Sequence, residues 1–198
     1  MTVIPVVYTK GQYNHLITRR LQDLGVESKL LPAGATVEDL KALGADALVM
    51  GGGPQRVRKI DDLTPELSSA AQLIKDVQLP LLCICVTHQL MATVYGGQTG
   101  AAPRPEFGPV KVSVKDEDSI LRGTGPSFTA WESHNDEVSR LPEGFHLLAS
   151  SENCRVQAMR HEKRILYGVQ FHPEVSHTTK GEDVFKNFLR VVQEHKRT

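Results

Sequence analysis

Three short segments of this sequence carry residue types suited to nucleophilic chemistry. The first is Cys85, which follows the apolar run Leu79–Ile84 and precedes a helical pattern from His88 to Tyr95. A cysteine at a strand-to-helix turn sits on a sharp elbow that exposes its side chain, and the helix N-terminus behind it favours a thiolate. Backbone N–H groups just after the turn can face an oxyanion. The second segment is His172-Pro173-Glu174, at the end of the strand-like Ile165–Phe171. An imidazole there could act as base to a cysteine, and a carboxylate two residues on could hold its tautomer. The rigid proline fixes how the two side chains diverge. The third is Gly51-Gly52-Gly53-Pro54, directly after Ala45–Met50. Plainer readings stand beside these: most intracellular cysteines are small buried hydrophobes, and His-Pro-Glu is commonly a surface turn.

Cys83, Cys85 and His88 also suggest a metal, because residues two apart on a strand face the same side and both thiols could converge. A structural zinc site needs four ligands, commonly with a second pair at short spacing, and only Cys154 remains. No metal is therefore expected. A Cys83–Cys85 disulfide would be strained. His88 reads as a structural histidine and Trp131 as a core anchor. The basic clusters Arg56–Lys59 and Arg160–Arg164 read as solvated surface, although Arg56–Lys59 follows the glycine loop and could dock a partner there.

The elements that must position these residues follow from hydrophobic periodicity. Val3–Tyr8, Val26–Leu31, Ala45–Met50 and Leu79–Ile84 read as strands. Helical patterns lie between them: Tyr13 to Leu24, Thr36 to Gly44, and Pro65 to Val77. Apolar, unalternating strands separated by helices mean a parallel sheet covered on both faces. After Gly100 short strands are expected at Val110–Val114, Ser127–Trp131, Phe145–Ser150, Val156–Met159 and Ile165–Phe171, then a helix from Gly181 to His195. The expected fold is α/β: a three-layer, open, mostly parallel, flavodoxin-like sheet flanked by helices, with added antiparallel strands, in one domain spanning 1–198. Ligands in such sheets bind beyond the carboxyl ends of the strands, where Gly51–Pro54 and Cys85–Gln89 both fall.

Composition narrows the function classes. The 198 residues carry 23 Lys+Arg against 23 Asp+Glu, a formal net charge of zero. That balance argues against nucleic-acid binding. No apolar stretch approaches the roughly 20 residues of a membrane span, and the start lacks a signal-peptide layout. Three cysteines are too few for a disulfide scaffold. A soluble, cytoplasmic protein is expected.

Taken together, Gly52-Gly53-Pro54, Cys85-Val86-Thr87-His88-Gln89 and His172-Pro173-Glu174 resemble the class I (triad) glutamine amidotransferase family over nearly the whole chain. Trp131-Glu132-Ser133-His134-Asn135-Asp136-Glu137-Val138, Gly11-Gln12-Tyr13, Cys154 and Gln170–Val175 are similar to one branch, the glutaminase subunits of two-subunit GMP synthetases. The resemblance implies that Cys85 attacks the carboxamide of glutamine, His172 carries the proton and Glu174 orients His172. It further implies an oxyanion hole from the backbone N–H groups of Gly53 and Val86. Gln89, Ser133, Asn135 and Asp136 would hold the amino-acid end of the substrate, mostly through backbone groups. His134 and Asp136 could touch glutamine or a partner, or form a polar turn.

No phosphate-binding loop occurs in the chain. The resemblance thus implies no cofactor here, with ATP and Mg²⁺ on a separate ATP-pyrophosphatase subunit that aminates XMP to GMP. The sequence departs from the family at the elbow, where Cys83 and Thr87 replace glycines, and near the first strand, where Tyr8 and Lys10 replace an aspartate and a glycine. The other readings are a glutaminase serving another synthase, a γ-glutamyl hydrolase and a non-catalytic binding or regulatory subunit.

Overall fold

The computed structural model describes residues 1–197. Its first half alternates strands with helices: β1 (Val6–Tyr8), α1 (Asn14–Asp23), β2 (Leu30–Pro32), α2 (Val37–Ala42), β3 (Leu48–Met50), α3 (Pro65–Asp76), β4 (Leu81–Ile84) and α4 (Val86–Val94). Helix starts are chemically marked. Thr36 and Asp39 form a capping box on α2, the hydroxyl accepting from Asp39 N and the carboxylate from Thr36 N. Thr64 caps α3, with Pro65 in its first turn.

The second half contributes β5 (Gln98–Val114), β6 (Ser127–Arg140), β7 (Phe145–Ser150), β8 (Ala158–His161), β9 (Leu166–Val169) and α5 (Gly181–His195). All nine strands join one sheet in the order β2-β1-β3-β4-β9-β8-β7-β5-β6. The ladders from β2 through β9 are parallel, and those from β9 to β6 antiparallel.

The parallel strands are apolar on both faces because both are covered. Leu82 and Ile84 of β4 pack with Ile17 of α1 and Phe185 and Phe188 of α5. Leu81 and Cys83 face the other way, onto Leu67 of α3 and Leu90 of α4. The three-layer α/β arrangement expected from periodicity is the one the chain adopts.

Three expectations need correction. The runs Val110–Val114 and Ser127–Trp131 are only the ends of β5 and β6, strands of 17 and 14 residues that form one long hairpin. Their polar and proline-containing portions give no apolar alternation, yet an antiparallel ribbon needs only backbone pairing; a register shift between Ala101 and Glu106 absorbs Pro103 and Pro105. The strand expected over Val26–Leu31 shrinks to the exposed edge strand β2 plus an isolated bridge from Glu27 to Val3. Finally, α4 begins at Val86, two residues before the apolar periodicity suggested.

Candidate functional site

The sheet order puts the two chemical segments beside each other. Strands β4 and β9 are parallel neighbours, with Ile84 opposite Val169, so Cys85 and the segment after β9 emerge at one carboxyl edge. Cys85 forms the elbow: its φ is 57° and ψ −113°, a strained conformation for a residue bearing a side chain. Its N–H donates to Val169 O at 2.8 Å, and its carbonyl accepts from Gln89 N, opening α4. The elbow carries Cys85 out of the strand's alternation. Cys83 stays in the core against α3 and α4, whereas Cys85 joins the opposite face. The two thiols therefore do not converge, and the metal and disulfide readings that needed them to do so lapse. Burial pushes the Cys83 thiol well above its usual pKa.

The substitutions at the elbow glycines are accommodated. Cys83 fits the core at 0% exposure. The Thr87 hydroxyl accepts from Ile84 N at 3.0 Å and donates to Met50 O at 2.7 Å, tying the elbow to β3. Close packing is instead taken by Gly168 of β9, where a Cβ would lie 2.4 Å from His88 Nδ1. His88 is a structural group as expected: burial holds it neutral, with its pKa pulled down to about 3, and its Nε2 donates to Val156 O.

His172 and Glu174 complete the arrangement. His172 Nδ1 donates to Glu174 Oε1 at 2.8 Å, and its backbone N–H donates to Trp131 O. With Nδ1 so occupied, Nε2 is the nitrogen left for Cys85, which lies beside the imidazole across Gly52. Burial pulls the His172 pKa down, but the charges and hydrogen bonds of Glu174 and Cys85 outweigh it and hold the pKa well above the usual histidine range. Tyr13 packs edge-on against the imidazole, ring centroids 5.0 Å apart.

The glycine loop after β3 presses against this pair. A Cβ on Gly52 would stand 3.2 Å from His172 Cε1 and 3.3 Å from Cys85 Cβ. The Gly52 carbonyl accepts from Thr9 Oγ1 at 2.6 Å and Asn14 Nδ2 at 2.9 Å, so the Gly52–Gly53 peptide is fixed with its N–H directed away from those donors. Val86 is the first residue of α4, where a backbone N–H has no partner within the helix. Thr9, Asn14 and Gly11, whose missing Cβ gives Gly52 O its room, were not singled out as site residues. Nor was Gln170, whose Nε2 approaches Cys85 Sγ at 3.8 Å. An amide at the end of a core strand, two residues before a candidate base, is the signal that could have found it.

A cleft of about 410 Å³ opens over these groups, lined among others by Gly52, Gly53, Gln89, Ser133, Asn135, Asp136 and His172. All the expected substrate-holding residues thus share one cavity, and the buried Cys85 lies behind its lining residue Gly52. Their roles differ in detail. Gln89 Nε2 is committed, donating to Asp136 O at 2.7 Å and Gln170 Oε1 at 3.0 Å, so only its carbonyl remains for a ligand. Asp136 is 5% exposed and its Oδ1 accepts no hydrogen bond; Arg58 and Arg56 stand 3.6 and 3.9 Å from its carboxylate. The polar-turn reading of His134 and Asp136 is overturned, since both are buried on β6. Trp131 is half-buried beside His177 rather than central in the core. Behind the cleft, Glu106, Glu132, His134 and Cys154 form a second buried polar cluster.

Residues 6–192 match the family described as glutamine amidotransferase class-I. The chain is 50% identical over 188 residues to the glutamine-hydrolyzing GMP synthase subunit of Sulfolobus acidocaldarius, covering 95% of this chain and 97% of that one. Identity is 45% over 188 residues to the Archaeoglobus fulgidus protein of the same name, with coverage of 95% and 97%. A crystal structure from Thermoplasma acidophilum, provisionally named as the corresponding GMP synthase subunit, superposes with a TM-score of 0.91 at 40% identity, covering 100% of this chain and 96% of that one. A Thermotoga maritima glutamine amidotransferase shares the fold at a TM-score of 0.75 and 18% identity, covering 98% and 83%.

Proposed function

We propose that this chain, which belongs to the glutamine amidotransferase class-I family and is a glutamine amidotransferase, is the glutaminase subunit of a two-subunit GMP synthase. The observation that carries the chemistry is the Cys85–His172–Glu174 constellation on one sheet edge, with Gly52 wedged against the first two members. Cys85 Sγ attacks Cδ of the glutamine carboxamide, and the oxyanion that forms sits between the N–H groups of Gly53 and Val86. Each such donor is worth about 3 kcal/mol of transition-state stabilisation. His172, protonated at Nε2 by its pairing with Cys85 and Glu174, gives that proton to the departing nitrogen as the C–N bond breaks, leaving a glutamyl thioester and ammonia. Water then adds to the thioester, His172 accepting its proton, and glutamate leaves with Cys85 restored.

The cleft suits a zwitterion. Asp136 offers an acceptor to the α-ammonium, Arg56 at the rim faces the α-carboxylate, and backbone groups of Ser133 and Asn135 supply the remaining donors and acceptors. Ammonia then passes to a separate ATP-pyrophosphatase subunit that holds ATP and Mg²⁺ and aminates XMP, in the cytoplasm. Glutamate release from glutamine, measured with and without that partner and its substrates, tests the reading. Release that rises with the partner and is abolished by Cys85→Ala supports it. Release indifferent to the partner favours a hydrolase acting alone.

A further inference from the structure

We propose that Glu106, Glu132, His134 and Cys154 form a binding site for one divalent cation of the zinc type, behind the cleft and separate from the cysteine–histidine pair. Glu106 and His134 face each other across the β5–β6 hairpin, and Cys154 comes from the turn between β7 and β8. One ligand atom from each of Glu106, His134 and Cys154 lies within 4.8 Å of the others. Nε2 of His134 is 3.0 Å from Glu106 Oε2 and 3.4 Å from Glu132 Oε2. Tetrahedral zinc with bonds of about 2.0–2.3 Å sets its ligands about 3.3–3.8 Å apart, within the spread seen here.

Two further features separate this cluster from an ordinary buried ion pair. Glu132 is 1% exposed, and neither of its carboxylate oxygens has a hydrogen-bond partner although one is aimed at His134 Nε2. A buried carboxylate left unsatisfied is costly, and a cation between it and the imidazole supplies the missing partner.

The surrounding shell is also built as a metal site requires. His134 Nδ1 lies 3.1 Å from Asp136 O; a carbonyl only accepts, so Nδ1 carries the proton and Nε2 is presented to the cluster. Glu106 is held by Ser151 Oγ on one oxygen and Gln157 Nε2 on the other, and Ser151 Oγ also accepts from Cys154 N. His134 borders the cleft, which gives the cation a way in. Mixed carboxylate, imidazole and thiolate donors select a borderline ion rather than magnesium or calcium. On binding, Cys154 releases its thiol proton to solvent and ligates as thiolate.

The test uses the full chain stripped with a chelator and titrated with Co²⁺ or Zn²⁺ alone. One cobalt per chain is expected, with thiolate-to-cobalt charge-transfer absorption in the near ultraviolet. X-ray absorption of the zinc form should show one sulfur among nitrogen and oxygen ligands. Cys154→Ala should abolish the charge-transfer band, and Glu132→Gln should weaken binding about tenfold or more while retaining it. Cys85→Ser should keep both band and affinity, which separates this site from the cleft's own thiol and from the proposed glutaminase function. Absence of stoichiometric binding to the wild-type chain, a zinc shell with no sulfur or several, or a band lost in Cys85→Ser instead of Cys154→Ala overturns the proposal.

Discussion

At the scale of single residues, the structure sets one buried imidazole against Glu174, with Cys85 and Gly52 beside it. His172 is 5% exposed, and burial alone would make it neutral; Glu174 and Cys85 reverse that. Replacing Glu174 by Gln removes the orienting charge and lets the His172 pKa fall. Glutamine hydrolysis is expected to drop about 10³–10⁴-fold, the scale of neutralising the acid in a Ser–His–acid triad. The alkaline limb of the residual rate moves to lower pH, because His172 loses the proton it must donate earlier in the titration. A pH–rate profile of the variant checks both. The same pairing contributes to stability. A histidine whose folded pKa is raised stabilises fully below about pH 6.5, and that contribution is lost as pH rises through the folded value. The stability difference between wild type and Glu174→Gln in urea should therefore shrink on raising the pH above neutrality.

The residue scale is also where the sequence was most legible and where it ran out. Cys85, His172 and Glu174 stand out as candidates by type and by position at element ends, and the fold brings them together. Thr9, Asn14 and Gln170 do not stand out, because their work is to hold backbone carbonyls or other amides in place, and nothing local in a sequence marks which carbonyl a distant hydroxyl will reach.

At the scale of elements, the elbow is the structure that matters. Two residues in place of glycine looked like obstacles; both turn out to be used. Thr87 ties Ile84 N to Met50 O with one hydroxyl, and Cys83 fills core volume beneath α4. Thr87→Gly is expected to lower stability by about 2 kcal/mol, the cost of leaving those buried groups unpaired, without raising the glutaminase rate; urea denaturation and a rate assay would show it. Close packing has moved to β9. Gly168→Ala drives a Cβ to 2.4 Å from His88 Nδ1 and 2.8 Å from Met91 Cε, and should cost about 1–3 kcal/mol by overpacking.

Element type was readable along the parallel half because apolar runs and helical periods are unambiguous there. The β5–β6 hairpin was not, since its central stretch owes its strand state to backbone pairing with a partner strand rather than to any apolar pattern of its own. That stretch carries Glu106 and His134, so the hidden strands and the hidden polar cluster have one cause.

On the scale of the whole molecule, a neutral chain hides a polarised surface. Arg56 and Arg58 stand exposed beside Asp136 at the cleft, and under the proposed function they are the residues a partner subunit would meet there. Replacing both by alanine should weaken association with the ATP-pyrophosphatase subunit, read by titration calorimetry, while far-ultraviolet circular dichroism stays unchanged. Unaltered affinity would remove these arginines from the interface. No helix among the described residues is long and apolar enough to cross a membrane. The site occupies one cleft at the carboxyl edge of one sheet, and the proposed function assigns the chemistry of ATP activation to another chain. The most direct measurement is therefore glutamate and GMP formation from glutamine, ATP, Mg²⁺ and XMP with the partner subunit present. Equal amounts of glutamate and GMP, both lost in Cys85→Ala and GMP alone restored by added ammonia, are predicted; glutamate release that survives Cys85→Ala would contradict the assignment.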